Sequence, residues 1–219
     1  MQILSRVISA ATVTLKLWTL GCLLILGPLF SQTTSWVNPG FGNWQDSGNW
    51  SLGVPTSAED AQIDNGGASA IGMGIHGEAN HVFVGVTPNI NNTLFVTNGV
   101  LTNVNTTLAS QTGSLGTLQV SLPSAQWINA SDTFVGLAGI GNLSLFLGAF
   151  GSSGNLSIAQ QTSSEGTVDI SDPGTTFVTY NVNVAEQGTA FLGLDLEPLL
   201  NLQELQLRGL LKRGCLNPG

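Results

Sequence analysis

Residues 105–123 read Asn-Thr-Thr-Leu-Ala-Ser-Gln-Thr-Gly-Ser-Leu-Gly-Thr-Leu-Gln-Val-Ser-Leu-Pro, and residues 155–173 read Asn-Leu-Ser-Ile-Ala-Gln-Gln-Thr-Ser-Ser-Glu-Gly-Thr-Val-Asp-Ile-Ser-Asp-Pro. The two stretches align without a gap at an offset of 50 residues. Asn105/Asn155, Ala109/Ala159, Gln111/Gln161, Thr112/Thr162, Ser114/Ser164, Gly116/Gly166, Thr117/Thr167, Ser121/Ser171 and Pro123/Pro173 are identical. Trp127 then falls opposite Phe177, Phe83-Val84-Gly85 lies 51 residues before Phe134-Val135-Gly136, and Leu94 lies 49 before Leu143. A match this long and this well phased marks a repeat protein.

Each unit is built from short alternating strands. Leu118 and Val120 point one way while Thr117, Gln119 and Ser121 point the other, and Val168 and Ile170 repeat this against Thr167, Asp169 and Ser171. Glycine, asparagine and Ser-Gly steps separate the strands, as at Gly139-Ile140-Gly141 and Gly151-Ser-Ser-Gly154. No amphipathic helical pattern occurs between Trp36 and Ala190. A closed propeller needs at least four blades of about 40–50 residues, more than the repetitive region supplies. A β-solenoid needs no closure, because each coil stacks on the next around a shared apolar column. At roughly 20–25 residues per coil a unit of fifty is two coils, and the array would hold about five or six. The expected fold is therefore all-β, a parallel β-helix of right-handed sense, with a flat sandwich as the alternative use of the same strands.

Positive charge is confined to the ends. The five basic residues are Arg6, Lys16, Arg208, Lys212 and Arg213, whereas all 13 acidic residues lie between Leu17 and Leu207. A body with acidic but no basic side chains is a poor partner for nucleic acid, anionic lipid or phosphate-rich ligands. Only 8% of residues are charged and mean hydropathy is positive, which excludes a disordered chain. Two cysteines, Cys22 and Cys215, cannot form a disulfide scaffold.

The two ends differ from the body. Arg6 and Lys16 precede an apolar run, Leu17 to Phe30, of 14 residues. That is short for a membrane span of about 20 residues and suits the core of an export signal. Residues 1–35 are thus expected to be a signal helix with cleavage among Ser31 to Ser35, or an anchor if retained. Residues 36–190 form the solenoid. Residues 191–219 are leucine-rich and are expected to form a short C-terminal helix capping the last coil, an irregular tail, or a truncated end.

Two stretches carry a family resemblance. Gly42-Asn-Trp44, Asn49-Trp50, Gly53-Val-Pro55 and Asp60-Ala-Gln-Ile63 resemble the opening segment of bacterial exported proteins that begin a repeat-built solenoid. Gly116-Thr-Leu-Gln-Val, Ala125-Gln-Trp127 and Phe134-Val-Gly136 with Gly141-Asn-Leu-Ser resemble the units of autotransporter-type adhesins. The resemblance covers residues 36–190 and departs where Asn92 replaces the glycine found at Gly141 and where Leu122-Pro123 stands in place of Gly-Ala. It implies a secreted or surface-displayed passenger, adhesive or structural, without catalysis. Its partners would be surface glycans, matrix or other cell-surface proteins, with membrane met only through the N-terminal segment.

Candidate chemistry is sparse. His76 and His81 flank Glu78, but two histidines need carboxylates from elsewhere to hold a metal, and they read as surface loop residues. Glu59, Asp60 and Asp64 form a weak calcium signature. An inverting hydrolase needs two carboxylates about 6.5–9.5 Å apart, and Glu165, Asp169 and Asp172 are the one acidic cluster on the array. Asp169 takes an outward strand position, where the preceding unit has Gln119, and so reads as solvated surface. No catalytic residue, metal or cofactor is expected. The candidate ligand-stacking residues are Trp36, Trp44 and Trp50, whose rings suit sugar faces; the competing reading has them seal the first coil.

Overall fold

The computed structural model describes residues 31–195 and 199–207. Its strands in chain order are β1 (Gln32–Ser35), β2 (Phe41–Asn43), β3 (Glu59–Ile63), β4 (Ala68–Ile71), β5 (His76–Val84), β6 (Asn91–Thr97), β7 (Val100–Leu108) and β8 (Leu115–Ser121). There follow β9 (Gln126–Asn129), β10 (Asp132–Val135), β11 (Ile140–Phe146), β12 (Phe150–Ile158), β13 (Glu165–Ser171), β14 (Thr176–Val184), β15 (Thr189–Asp195) and β16 (Leu199–Leu207). The one helical turn among the described residues is 3₁₀, Ser47–Asn49, capped by the Asp46 carboxylate. Expected and observed fold class agree: a parallel β-solenoid, here of about seven turns rather than five or six.

The chain winds between two parallel sheets. One runs β1-β3-β5-β7-β10-β12-β14-β16, with β9 joining β7 and β12; the other runs β15-β13-β11-β8-β6-β4-β2. His76 pairs with Val100, Val100 with Gln126, Gln126 with Phe150, and Phe150 with Thr176, so the windings alternate between 24 and 26 residues. Two windings make the fifty-residue repeat. Leu118, Leu143 and Val168 stack in register, each fully buried, as the solenoid reading requires.

The two-winding period is visible in the packing. Leu101, Trp127, Gly151 and Phe177 occupy one inward position in successive windings. Neighbouring windings lie about 4.8 Å apart, so rings two rungs apart must lean toward one another to touch. Gly151 leaves the space into which Trp127 and Phe177 lean, their planes 6° apart and centroids 6.1 Å apart. A Cβ at Gly151 would lie 3.0 Å from the Phe177 ring and 3.4 Å from Trp127.

Long strands bend at a corner. In β5, β12 and β14 the ladder skips one residue, and the buried side chains change parity there: Gly77 and Ala79 face inward, then Val82 and Val84. The corner residues are Asn80, Val104, Ala130, Gly154 and Tyr180 in turn. Between β9 and β10 the corner holds an extra residue, with Ala130 bonded to Asn103 and Ser131 to Val104 through their backbones. The crowding passes to the next winding, where a Cβ at Gly154 would lie 2.9 Å from the Ser131 carbonyl.

Past the long strands, each winding turns through a residue of positive φ: Gly85, Ala109, Gly136, Ala159 and Ala185. The following strand opens with a glycine column, Gly116-Gly141-Gly166, pressed against those turns. The column ends in larger residues, Asn92 on one side and Ala190 on the other. Asn92 fits because its amide is used: the side-chain oxygen accepts from the Gly66 N–H and the nitrogen donates to the Ile90 carbonyl.

Strand pairing extends beyond the expected 36–190. Gln32–Ser35, read from sequence as the region of cleavage, is the first strand and pairs with Glu59–Gln62. At the other end, where a helix or irregular tail is expected, Leu199–Leu207 continues the ladder on Thr176–Val184. The tail's leucines alternate too weakly with polar residues to declare a strand in isolation, and a preceding rung supplies the hydrogen-bond template. Residues 1–30, where an export signal is expected, the link 196–198 and the tail 208–219 lie outside the described residues.

Candidate functional site

The tryptophan proposal is corrected by burial. Trp36, Trp44 and Trp50 are 2%, 0% and 4% exposed, so no ring face is open to a sugar. Trp50 packs edge-on against both others, with centroids 5.0 Å from Trp36 and 4.8 Å from Trp44. Its indole N–H donates to the Trp44 carbonyl at 2.7 Å. The Asn49-Trp50 step brings the chain back onto the column: Val37 N–H bonds the Asn49 carbonyl and Ser51 N–H the Ser35 carbonyl. Together the three rings close the apolar interior at the first winding.

The titratable residues are knitted into inter-winding ladders. His76 and His81 lie in strand β5, not in a loop, on either side of the Asn80 corner. His76 bonds Thr102 through Nε2, and His81 meets Asn105 through Nε2 and Asp60 through Nδ1. Asp60 also accepts from Asn80 Nδ2 at 2.9 Å. Asp64 accepts from the Val86 and Thr87 N–H groups and the Thr87 hydroxyl, all at 2.6 Å, which caps the loop after β5. Glu59 holds the Thr56 N–H and hydroxyl. Among the described residues, no three His, Cys, Asp or Glu side chains come together in a metal-binding group.

The candidate acidic cluster is spread across one winding. Glu165 and Asp169 sit four residues apart on β13, about 13 Å at 3.3 Å per residue, beyond the span of a hydrolase pair. Asp172 is at a corner, where its Oδ2 accepts from the Leu147 N–H. The sequence holds six Asn-x-Ser/Thr tripeptides, starting at Asn49, Asn91, Asn105, Asn129, Asn142 and Asn155, and of these asparagines Asn49 and Asn129 are buried.

Polar ladders dominate the corner region. Outside it, Asn105 Oδ1 accepts from the Asp132 N–H, Asn155 Nδ2 donates to Asp132 Oδ1 at 2.7 Å, and Asn181 Nδ2 donates to Asn155 Oδ1 at 2.8 Å. Inside it, Asn103, Thr106, Asn129, Thr133 and Ser153 are buried and mutually bonded. Asn103 Oδ1 accepts from the Trp127 indole at 3.2 Å. A buried polar group costs about 1–3 kcal/mol when unpaired, so this network specifies the corner only because its members satisfy one another.

Among the hollows on the surface of the described residues, two lie beside exposed aromatic rings. One, of about 430 Å³, lies along the corner between Ile128, Ala130, Ser152, Gly154, Val178 and Tyr180. Tyr180 is 60% exposed and forms its wall; Gly154 and Ala130 leave the floor low. The other, of about 440 Å³, is more apolar and lies beside Phe41, Met73 and Phe95 on the second sheet. Its Phe41 and Phe95 rings are 6.1 Å apart. The corner groove was not singled out from sequence, although the signal is there: Tyr180 is the sole tyrosine of the chain and stands fifty residues after Ala130. Comparison of the chain with family models, with curated proteins and with solved structures returned no match.

Proposed function

We propose that the protein is an exported structural or adhesive β-solenoid, similar to the passenger segments of autotransporter-type adhesins and working at the cell surface or outside the cell. The observation that carries this reading is the outer surface of the column. Thr93, Thr117, Asn142 and Thr167 stand in one outward row on successive rungs, and Asn105, Asp132, Asn155 and Asn181 in another. No Lys or Arg lies between Leu17 and Leu207. Rows repeating about every 4.8 Å offer many weak polar contacts in fixed register, the means by which a long partner is held without a deep pocket. In this reading the protein binds and does not turn over its partner, and the apolar stretch Leu17 to Phe30 directs export.

The test is fractionation of cells expressing the tagged full chain, with amino-terminal sequencing of the recovered protein. Protein outside the cytoplasm, with its N-terminus at or before Gln32 or with the segment retained in membranes, supports export. Full-length protein confined to the cytoplasm refutes it. Retention of exported protein on matrix-coated or cell-coated surfaces then tests adhesion separately.

A further inference from the structure

We propose that the corner groove beside Tyr180 is a binding site for a neutral sugar ring, stacked on the phenol. Three observations on the groove converge. Its wall is the exposed Tyr180 ring at a corner where strand β14 is pinned by Thr179 Oγ1 bonds to the Gly154 and Asn181 carbonyls, each 3.2 Å. Its floor is low for a structural reason: the extra residue at Ala130–Ser131 leaves no room for a Cβ at Gly154. Its lining combines apolar Ile128 and Val178 with the Ser152 hydroxyl and contains no charged side chain.

That lining selects among ligands. A sugar ring presents a C–H face for an aromatic ring and hydroxyls at its edge, matching Tyr180 with Ser152 and the Tyr180 hydroxyl. An anionic polymer meets a body whose described charges at neutral pH are carboxylates, with no cation beside the groove to pair it. A cationic peptide finds no carboxylate in the lining. The neutral glycan is what remains. The groove lies on the outward corner that continues through Val104 and Asn80, so a polymer engaged at Tyr180 can extend along the polar ladders.

The experiment uses purified full-length protein with an immobilised β-glucan, galactan and mannan, alongside polygalacturonate and an extended basic peptide. Retention on at least one neutral glycan is expected, with Tyr180→Ala weakening it about two- to tenfold and Tyr180→Phe retaining most of it. Ala130→Phe, which fills the groove from an exposed position, is expected to weaken retention with an unchanged melting midpoint. Failure to bind any of the three neutral glycans overturns the proposal. So does binding unaffected by both Tyr180→Ala and Ala130→Phe, or preference for polygalacturonate or the peptide. The inference rests on the adhesive reading only for where the ligand is met. Cytoplasmic protein that binds glucan in vitro refutes export and leaves the groove standing, whereas exported protein inert to all three glycans does the reverse.

Discussion

Gly141→Ala tests the stacking geometry at its tightest point. Gly141 lies between Gly116 and Gly166 in the inward column, and its backbone φ is not in the left-handed region, so alanine carries no dihedral penalty. What alanine meets is backbone. Its Cβ would collide with the Gly136 nitrogen and lie 2.8 Å from the Val135 carbonyl carbon and 2.9 Å from the Gly136 Cα. Ordinary carbon contacts lie at about 3.5–4.0 Å, so the turn must retreat by more than half an ångström, loosening the rung on either side. Overpacking of this kind costs about 1–3 kcal/mol or more, while a restricted unfolded chain returns about 0.4–1 kcal/mol. The expected net loss is about 2 kcal/mol, a fall of roughly 4–8 °C in melting midpoint for a domain of this size. Gly72→Ala is the internal control. Its Cβ would meet only the Ile75 side chain, at 4.0 Å, and its φ is ordinary, so it should be neutral or stabilising by about 0.4–1 kcal/mol. Thermal and urea melts followed by far-ultraviolet circular dichroism read both. If Gly141→Ala melts with the parent protein, the close approach of turn and strand is wrong.

Trp44→Ala should cost about 3–5 kcal/mol by opening the first winding, read as a lowered urea midpoint; unchanged stability would contradict the sealing role. Trp127→Ala should cost a similar amount and also loosen Phe177, so Trp127→Ala and Phe177→Ala are expected to be non-additive in a double-mutant cycle. Asn129→Ala removes partners from Asn103, Thr106 and Ser153 and should cost about 2 kcal/mol or more, whereas half-buried Asp132→Asn, which keeps a side-chain oxygen to accept from Asn155, should cost less in the same melts. The parent protein should release no reducing ends from polysaccharides; measurable turnover abolished by Asp169→Asn would restore an enzymatic reading.

Much of the architecture was readable in one dimension because a solenoid is nearly one-dimensional. Alternation at Leu118/Val120 and Val168/Ile170 fixes which faces turn inward, and the offset of fifty fixes which residues share a column, since each rung contacts only its neighbours. The inward phase of Trp127 and Phe177 follows from the same offset. What the sequence could not rank were the roles of individual aromatics. Trp44 and Tyr180 both look like sugar platforms by residue type; only the path of the chain shows that one is swallowed by the first winding and the other stands at a corner. The tail was likewise ambiguous, since residues 199–207 take strand form from the rung beside them, a property of the neighbour rather than of the segment. The corner groove depends on an extra residue at Ala130–Ser131, a missing Cβ at Gly154 and a ring at Tyr180. Those features lie about 25 residues apart in the chain and meet only when the windings are about 4.8 Å apart. Periodicity alone therefore decided the column and its interior, while the surface that a partner would touch was decided by how unequal windings stack.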